Sequence, residues 1–215
     1  MTPSPLLLRR TLQIIQQLKK SYPEAHCELD HANPLQLLIA TILSAQCTDV
    51  RVNLVTPALF LRCRHASDYA TIPQTELEEI IRSTGFYRAK ARSIRACATA
   101  LVSDHQGEVP QTMKELHQLA GVGRKTANVV LGNAFNLAEG VVVDTHVGRL
   151  SRRMGLTRQV DPVKVESALV KLVPKNEWTL FSHLLIAHGR KRCPARKPDC
   201  ANCEILKICP RIGAH

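Results

Sequence analysis

Helix start and stop signals recur along the whole chain and limit its fold more than any other feature. Asn33 followed by Pro34 is an N-cap and first-turn pair, and Asp161 followed by Pro162 repeats it. Apolar residues recur at helical spacing between such signals, whereas β-branched residues form a run only at Val141–Val143. The sequence therefore predicts an all-α protein of about ten short helices.

Several segments give more local predictions. Apolar residues spaced from Leu8 to Leu18 predict an amphipathic first helix over residues 5–21. The segment Leu35–Leu43 is apolar on most sides and predicts a buried central helix. The remaining start and stop signals are Thr75 and Glu78 with Gly85, Thr112 and Glu115 with Gly121, and Asn176 before Trp178.

The charge balance indicates a polyanionic partner. The 29 Lys and Arg residues exceed the 18 Asp and Glu residues, which gives a formal net charge of +11 and favours nucleic acid or an acidic membrane surface. No apolar run is long enough to span a membrane. Arg9 and Arg10 follow the leucines at the N-terminus instead of preceding them, which is the wrong order for a signal peptide. We therefore expect a cytoplasmic protein, in which cysteines bind metal or stay as thiols.

Four cysteines lie close together near the C-terminus, in the pattern C-x6-C-x2-C-x5-C. They are Cys193, Cys200, Cys203 and Cys209. Four thiolates so close in sequence can surround one inorganic centre. Tetrahedral zinc is one candidate, but zinc ribbons usually pair two C-x2-C knuckles across a longer gap. Iron–sulfur clusters accept irregular spacing such as this one, which therefore favours a cluster and leaves zinc as the alternative.

The other four cysteines are predicted to be small buried hydrophobic residues rather than ligands: Cys27, Cys47, Cys63 and Cys97. Basic residues crowd the four-cysteine region. They are Arg190, Lys191, Arg192, Arg196 and Lys197. A solvated face is one interpretation, and contact with phosphates through a loop fixed between metal ligands is the one we favour.

A glycine turn joins two helical segments within residues 112–131. Gly121 and Gly123 permit backbone geometry that is closed to other residues. Amide groups in such a turn can approach an anion, and the N-terminal end of the next helix adds positive charge. Small Ala127 allows close helix packing. In a basic chain this arrangement favours a helix–hairpin–helix grip on the DNA backbone over an ordinary tight turn.

Two residues near this turn are candidates for chemistry. Lys125 lies just inside the second helix, where the helix N-terminus and Arg124 favour the neutral amine that a nucleophile requires. Taken alone, a lysine at this position favours a phosphate contact over a nucleophile. Asp144 follows the valine run at a helix start, where it can serve as an N-cap. It can also stabilise positive charge that develops on a sugar when a base is lost.

These motifs together resemble the endonuclease III family of DNA glycosylases with an associated strand-cleaving lyase activity. The resemblance extends from LLIATILSAQCTD at residues 37–49 through GVGRKTANVV and VDTH to the terminal cysteines. It implies that Lys125 is the nucleophile, that Asp144 is the catalytic carboxylate, and that the four clustered cysteines bind one [4Fe–4S] cluster.

The resemblance also implies two helical lobes on either side of a DNA-binding cleft. A six-helix barrel with the helix–hairpin–helix is expected over residues 27–137, and a discontinuous lobe with the cluster over residues 1–26 and 138–215. Family members flip the damaged nucleotide out of the stack, and the residues that match those filling the gap are Gln46 and Phe86.

Two residues depart from the family pattern. Ala120 replaces the proline that more often precedes the hairpin glycine, which leaves the turn less rigid. Phe86 replaces a common leucine and can stack on a base. The preferred lesion is therefore the least transferable property of the family.

The sequence thus predicts a monomeric, nucleoid-associated enzyme that excises oxidised pyrimidines from duplex DNA and cleaves the strand at abasic sites. A monofunctional glycosylase of the same fold is the nearest alternative, but such enzymes typically lack the lysine at position 125. A non-enzymatic DNA-binding protein is disfavoured because the chain contains Asp144 as well as Lys125. An electron-transfer protein is disfavoured by a single terminal cysteine cluster in a basic chain.

Overall fold

A computed structural model of the protein describes residues 3–214, and within them the chain forms helices and loops without a strand. The all-α prediction is confirmed, and Val141–Val143 is extended chain. The α-helices are α1 Pro5–Ser21, α2 Pro34–Leu43, α3 Asp49–Arg62, α4 Ala66–Thr71, α5 Gln74–Ile80, α6 Tyr87–Asp104, α7 Met113–Leu116, α8 Arg124–Ala134, α9 Thr145–Arg153, α10 Pro162–Leu169 and α11 Trp178–Lys191. Two 3-10 segments span Arg82–Thr84 and Lys175–Glu177.

The chain divides into two compact units, which are Cys27–Glu139 and Met1–His26 with Gly140–His215. The first unit contains α2 to α8 and is built around α2, in which every residue from Leu37 to Leu43 is buried. Helices α3, α6 and α8 pack against it. The Asn33 side chain accepts a hydrogen bond from the Gln36 N–H at 2.9 Å, so the predicted start and the predicted central helix are both confirmed.

The second unit contains α1 and α9 to α11. Its core joins Ile14 and Leu18 of α1 to Phe181 and Leu184 of α11. Helix α1 has the predicted bounds, but its buried face is rotated relative to the prediction, and Leu12 is 43% exposed. Within residues 3–214, no helix is both long and apolar enough to cross a membrane.

Two further helix starts are confirmed at the predicted residues. The Thr112 hydroxyl accepts from the Glu115 N–H at 3.2 Å, and the Asp161 carboxylate accepts from the Lys164 N–H at 3.0 Å. Side chains that can satisfy a free amide of the first turn explain both starts.

Two predicted starts are wrong by a residue or more. Thr75 lies inside α5, because Pro73 precedes the helix and its fixed φ angle already leads into it. Helix α11 follows Glu177 rather than Asn176, because a 3-10 turn intervenes. Two predicted helix ends lie too far along the chain. Helix α5 ends at Ile80, before Gly85, and α7 ends after one turn, before Gly121.

Candidate active site and candidate metal centre

The turn before α8 requires glycine at Gly121. This residue has a φ angle of +77°, in the left-handed region, and a Cβ atom there would lie 3.0 Å from Ser93 Cβ. Next to it, Val122 is buried and donates its N–H to the Leu119 carbonyl at 3.1 Å. The left-handed backbone that glycine adopts freely and the close packing against Ser93 therefore fix the hairpin together.

Gly123 is different, and the expectation that its backbone is closed to other residues is wrong. It is the N-cap of α8 with a φ angle of −86°, and a Cβ atom added there would meet no atom within 4 Å. As a glycine, it contributes no side chain that could cap the helix. The glycine thus leaves the first amides of α8 accessible, which suits the approach of an anion.

Lys125 is the second residue of α8 and is exposed, as is Arg124 before it. The opposite face of α8 carries Ala127, Val130 and Leu131, which are buried, and the helix packs on α2. This amphipathic arrangement directs the lysine to solvent at the uncapped end of the helix. Lys125 belongs to the unit Cys27–Glu139.

Asp144 is the N-cap of α9 in the other unit. Its Oδ1 atom accepts a hydrogen bond from the Val147 N–H at 2.8 Å, and the residue is half-buried. Buried Val141 and Val142 anchor the chain before it. The structural role that the sequence allowed is therefore present, and it leaves a carboxylate fixed in one orientation.

Gln46 and Phe86 share an unusual backbone geometry. Their φ angles are +52° and +48°, both in the left-handed region that residues with a side chain rarely adopt. Both are exposed, and Phe86 exposes 66% of its surface. Core packing is therefore excluded as the role of Phe86. Gly85, with a φ angle of +70°, precedes it.

The sequence analysis missed Lys90, which lies one turn into α6 and is only 5% exposed. Its Nζ atom donates to the Leu43 carbonyl at 2.7 Å and to the Thr84 carbonyl at 2.8 Å. Burial lowers the pKa of Lys90, against a smaller opposing effect of Cys47. A signal for it exists in the sequence, since Lys90 lies four residues before buried Ile94 on the apolar face of α6.

The four clustered cysteines line one cavity with apolar walls. All four are half-buried. The cavity is lined by Cys193, Cys200, Cys203 and Cys209 together with apolar Leu150, Met154, Ile205 and Leu206. Two nitrogen atoms face the sulfurs, since Arg153 Nη1 lies 3.2 Å from Cys193 Sγ and His188 Nε2 lies 3.7 Å from Cys203 Sγ. Four thiols around one apolar space suit a metal centre.

The spacing of these sulfurs separates zinc from a larger centre. With Zn–S bonds of about 2.3 Å, tetrahedral geometry places the sulfurs about 3.8 Å apart. In the described part of the chain, three ligand atoms lie within 4.8 Å of one another in the set His188, Cys203 and Glu204, and no three of the four cysteine sulfurs do so. The cysteines are therefore more widely spaced than a single zinc ion requires.

His188 links this centre to α1. Its Nδ1 atom lies 3.0 Å from the hydroxyl of Tyr22, and its Nε2 atom faces Cys203. Burial lowers the pKa of His188 to about 4, although Glu204 acts in the opposite direction, so the ring is neutral at neutral pH. A neutral ring can donate through only one nitrogen, and donation to sulfur is consistent with acceptance from the Tyr22 hydroxyl.

The basic residues of this region fall into two groups. Four are exposed, namely Arg190, Lys191, Arg196 and Lys197. Arg192 instead forms ion pairs with Asp199 and Glu204. It therefore stabilises the cysteine loop itself, whereas Arg196 and Lys197 project from the loop between Cys193 and Cys200.

The scattered cysteines are packed against the core of the unit Cys27–Glu139. Cys63 and Cys97 are buried, whereas Cys27 and Cys47 are only half-buried. Burial raises the pKa of Cys97 to about 12 and that of Cys63 to about 11. These two thiols stay protonated at neutral pH, as expected of small hydrophobic residues.

Known proteins match the chain in both sequence and structure. Residues 39–175 match the family model described as HhH-GPD superfamily base excision DNA repair protein. The endonuclease III of Synechocystis sp. is 54% identical over 206 residues, 96% of this chain and 94% of that protein. The endonuclease III of Bacillus subtilis is 45% identical over 91% of this chain and 89% of its own length. The solved structure of a non-covalent endonuclease III–DNA complex matches at a TM-score of 0.89 and 46% identity, over 95% of each chain.

The helical fold, the glycine hairpin and these matches define a base excision DNA repair protein of the HhH-GPD superfamily. The chain belongs to the endonuclease III family of that superfamily, the bifunctional DNA glycosylases and abasic-site lyases.

Proposed function

We propose that the protein removes oxidised pyrimidines from duplex DNA through a Schiff base on Lys125 and then cleaves the strand 3′ to the abasic site. The observation that carries the proposal is the position of Lys125. It is exposed in the first turn of a helix whose N-cap, Gly123, contributes no side chain. A nucleophile there is accessible to a flipped nucleotide, and its neighbouring amides can bind the adjoining phosphate.

The reaction uses the lysine as a covalent catalyst. The neutral Nζ atom attacks C1′ of the damaged nucleotide, and the bond from C1′ to the base breaks, so that the base leaves with the electron pair and takes up a proton. The sugar ring then opens to give a protonated Schiff base between C1′ and Lys125. Loss of a C2′ proton expels the phosphate from C3′, and water hydrolyses the Schiff base to restore the amine.

Asp144 acts on charge rather than as a nucleophile. As the base departs, positive charge develops on the sugar, and a fixed carboxylate stabilises it. Its hydrogen bond from the Val147 N–H supports this role because it fixes the orientation of the carboxylate.

DNA is held by groups of two kinds. The amides of the hairpin at Gly121 and Gly123, with the Arg124 side chain, bind phosphates near the lesion, and the exposed Arg190, Lys191, Arg196 and Lys197 add charge-dependent affinity. Gln46 and Phe86 fill the space left by the flipped nucleotide, which their exposure supports. A monomer of the protein is sufficient for these contacts.

One [4Fe–4S] cluster is the metal centre that Cys193, Cys200, Cys203 and Cys209 would hold. The apolar cavity and the wide spacing of the sulfurs support this choice over zinc. When bound, the cluster supplies four covalent links that fix the loop carrying Arg196 and Lys197.

The test is incubation with duplex oligonucleotides, each with one oxidised pyrimidine, one oxidised purine or one abasic site, in the presence of borohydride. We expect a covalent protein–DNA adduct with the oxidised pyrimidine for the wild type and for Lys164→Gln, a change of another exposed lysine on α10. We expect none for Lys125→Gln. Adduct formation by Lys125→Gln would place the nucleophile elsewhere, and release of the base without any trapped adduct would show a monofunctional glycosylase.

A further inference from the structure

Two loops of the unit Cys27–Glu139 meet at one buried ammonium group. The first loop, residues 44–48, follows α2 and carries Gln46. The second loop, residues 85–86, follows the first 3-10 segment and carries Phe86. The Lys90 Nζ atom binds the last carbonyl of each helical segment, at Leu43 and at Thr84. Its backbone N–H also donates to the Phe86 carbonyl at 3.0 Å. The Lys90 side chain thus holds each loop at one point, and its backbone N–H makes the ordinary hydrogen bond of the first turn of α6.

The surroundings of Lys90 explain how a charge is tolerated there. In the described part of the chain, no ion pair is formed between Lys90 and a carboxylate. Leu43 and Thr84 end helical segments, where carbonyl groups lack intrahelical partners and carry partial negative charge. Burial of an ammonium has a large desolvation cost unless the group is hydrogen-bonded, and an apolar side chain would fill the same space without that cost. Packing alone does not account for a lysine.

The backbone conformation of both loops indicates a role for Lys90. Gln46 and Phe86 each adopt the left-handed conformation, which is unfavourable for a residue with a side chain. Such conformations persist only where the surrounding structure fixes them. In each of these two loops, the residue with the left-handed backbone is also the exposed side chain that we assign to the gap in the duplex.

We propose that Lys90 is a positioning residue that couples the Gln46 loop to the Phe86 loop, so that both side chains enter the DNA as one preformed unit. This inference rests on the proposed role of Gln46 and Phe86 in filling the gap. Lys90 itself is enclosed and touches no substrate. Its contribution is to reduce the entropy that two independent loops would lose on binding.

A double-mutant cycle on base excision tests the coupling. Each variant is described by the factor by which it slows base excision. With Lys90 intact, we expect the factor for the double variant Gln46→Ala with Phe86→Ala to be smaller than the product of the two single factors, by about fivefold or more. In the Lys90→Met background, the factor for the double variant should equal the product of the two single factors, because each loop then acts alone. Lys164→Met, which removes one exposed positive charge, should keep the wild-type coupling. Unchanged coupling in Lys90→Met, with a lower melting temperature, would make Lys90 merely structural and overturn the inference.

Amide hydrogen exchange without DNA separates this inference from the proposed function. In the wild type, the amides of Cys47 and Thr84, which are hydrogen-bonded to Ser44 and Ile81, should open together with one free energy. In Lys90→Met, or in Lys90→Gln if the first variant does not fold, both loops should exchange faster while α8 stays protected. Loops that open independently in the wild type would overturn the role of Lys90. Single alanine variants at 46 and 86 that excise normally would instead overturn the proposed gap filling.

Discussion

Asp144 caps α9, so an experiment on its catalytic role has to leave the capping role intact. Asparagine caps a helix about as well as aspartate does, so Asp144→Asn should keep the hydrogen bond to the Val147 N–H and lose only the charge. We expect a melting temperature within a few degrees of wild type, unchanged DNA affinity, and base excision slower by about 100-fold or more.

Single-turnover excision and thermal melting, measured on the same preparation, check this prediction. Asp144→Ala is the matched variant, since it removes both cap and charge and should cost an additional ~1 kcal/mol of stability. Near-normal excision by the asparagine variant would restrict Asp144 to capping.

Phe86 is exposed in the free protein, so its removal should affect DNA more than folding. Phe86→Ala should change the free energy of unfolding by less than about 1 kcal/mol, whereas a buried phenylalanine would cost about 3–5 kcal/mol. Flipping has to compensate for lost stacking of a few kcal/mol, so excision from duplex DNA should slow while cleavage of preformed abasic sites changes less. Leu61→Ala, at a 73% exposed leucine of α3, is the control and should excise normally. Equal losses in both assays would show that Phe86 does not act in flipping.

The hairpin before α8 contains two glycines that have different functions. Gly121 has a positive φ angle and touches Ser93, so Gly121→Ala should destabilise the protein by about 1–3 kcal/mol. Gly123 has an ordinary φ angle and open space around it, so Gly123→Ala should change stability by less than about 1 kcal/mol. The added methyl group would instead keep a phosphate away from the first amides of α8.

Chemical denaturation and binding to an abasic-site duplex together measure the two effects. Gly121→Ala should lose stability, and Gly123→Ala should lose affinity with little loss of stability. A Gly123→Ala protein that binds DNA as tightly as the wild type would mean that the amides at this helix end do not contact the backbone.

The two units of the molecule should depend differently on the metal centre. All four clustered cysteines lie in the unit formed by residues 1–26 and 140–215. Because binding of a structural metal centre adds to the folding free energy of the segment that holds it, Cys200→Ser should lose iron and its visible absorption. Hydrogen exchange should then rise over residues 193–209, while α2 and α6 stay protected.

Cys27→Ser changes another half-buried cysteine and should keep the iron. Metal analysis of the purified proteins is the deciding measurement. About one zinc and no iron in the wild type would contradict the cluster, as would full iron content in Cys200→Ser.

The helix starts show how much of the fold local chemistry specifies. Asn33, Thr112 and Asp161 were identified from residue type alone, because a cap needs only a side-chain oxygen and the amides of the next turn. The start of α5 and the buried face of α1 were wrong in detail. Pro73 and the packing against α11 decide these features, and both compete with the local pattern.

The sequence by itself determined the helical class, the hairpin motif that contains Lys125, the helix cap Asp144, and the set of clustered cysteines, because each depends on residue types at short spacing. The tertiary structure decided which glycine has a left-handed backbone, that Phe86 is exposed, and that the cysteines share one apolar cavity. It also decided the role of Lys90, whose partners lie 47 and 6 residues away. The physical reason is that burial, backbone strain and hydrogen bonds to carbonyl groups depend on what folding brings near a residue, and no local pattern specifies that.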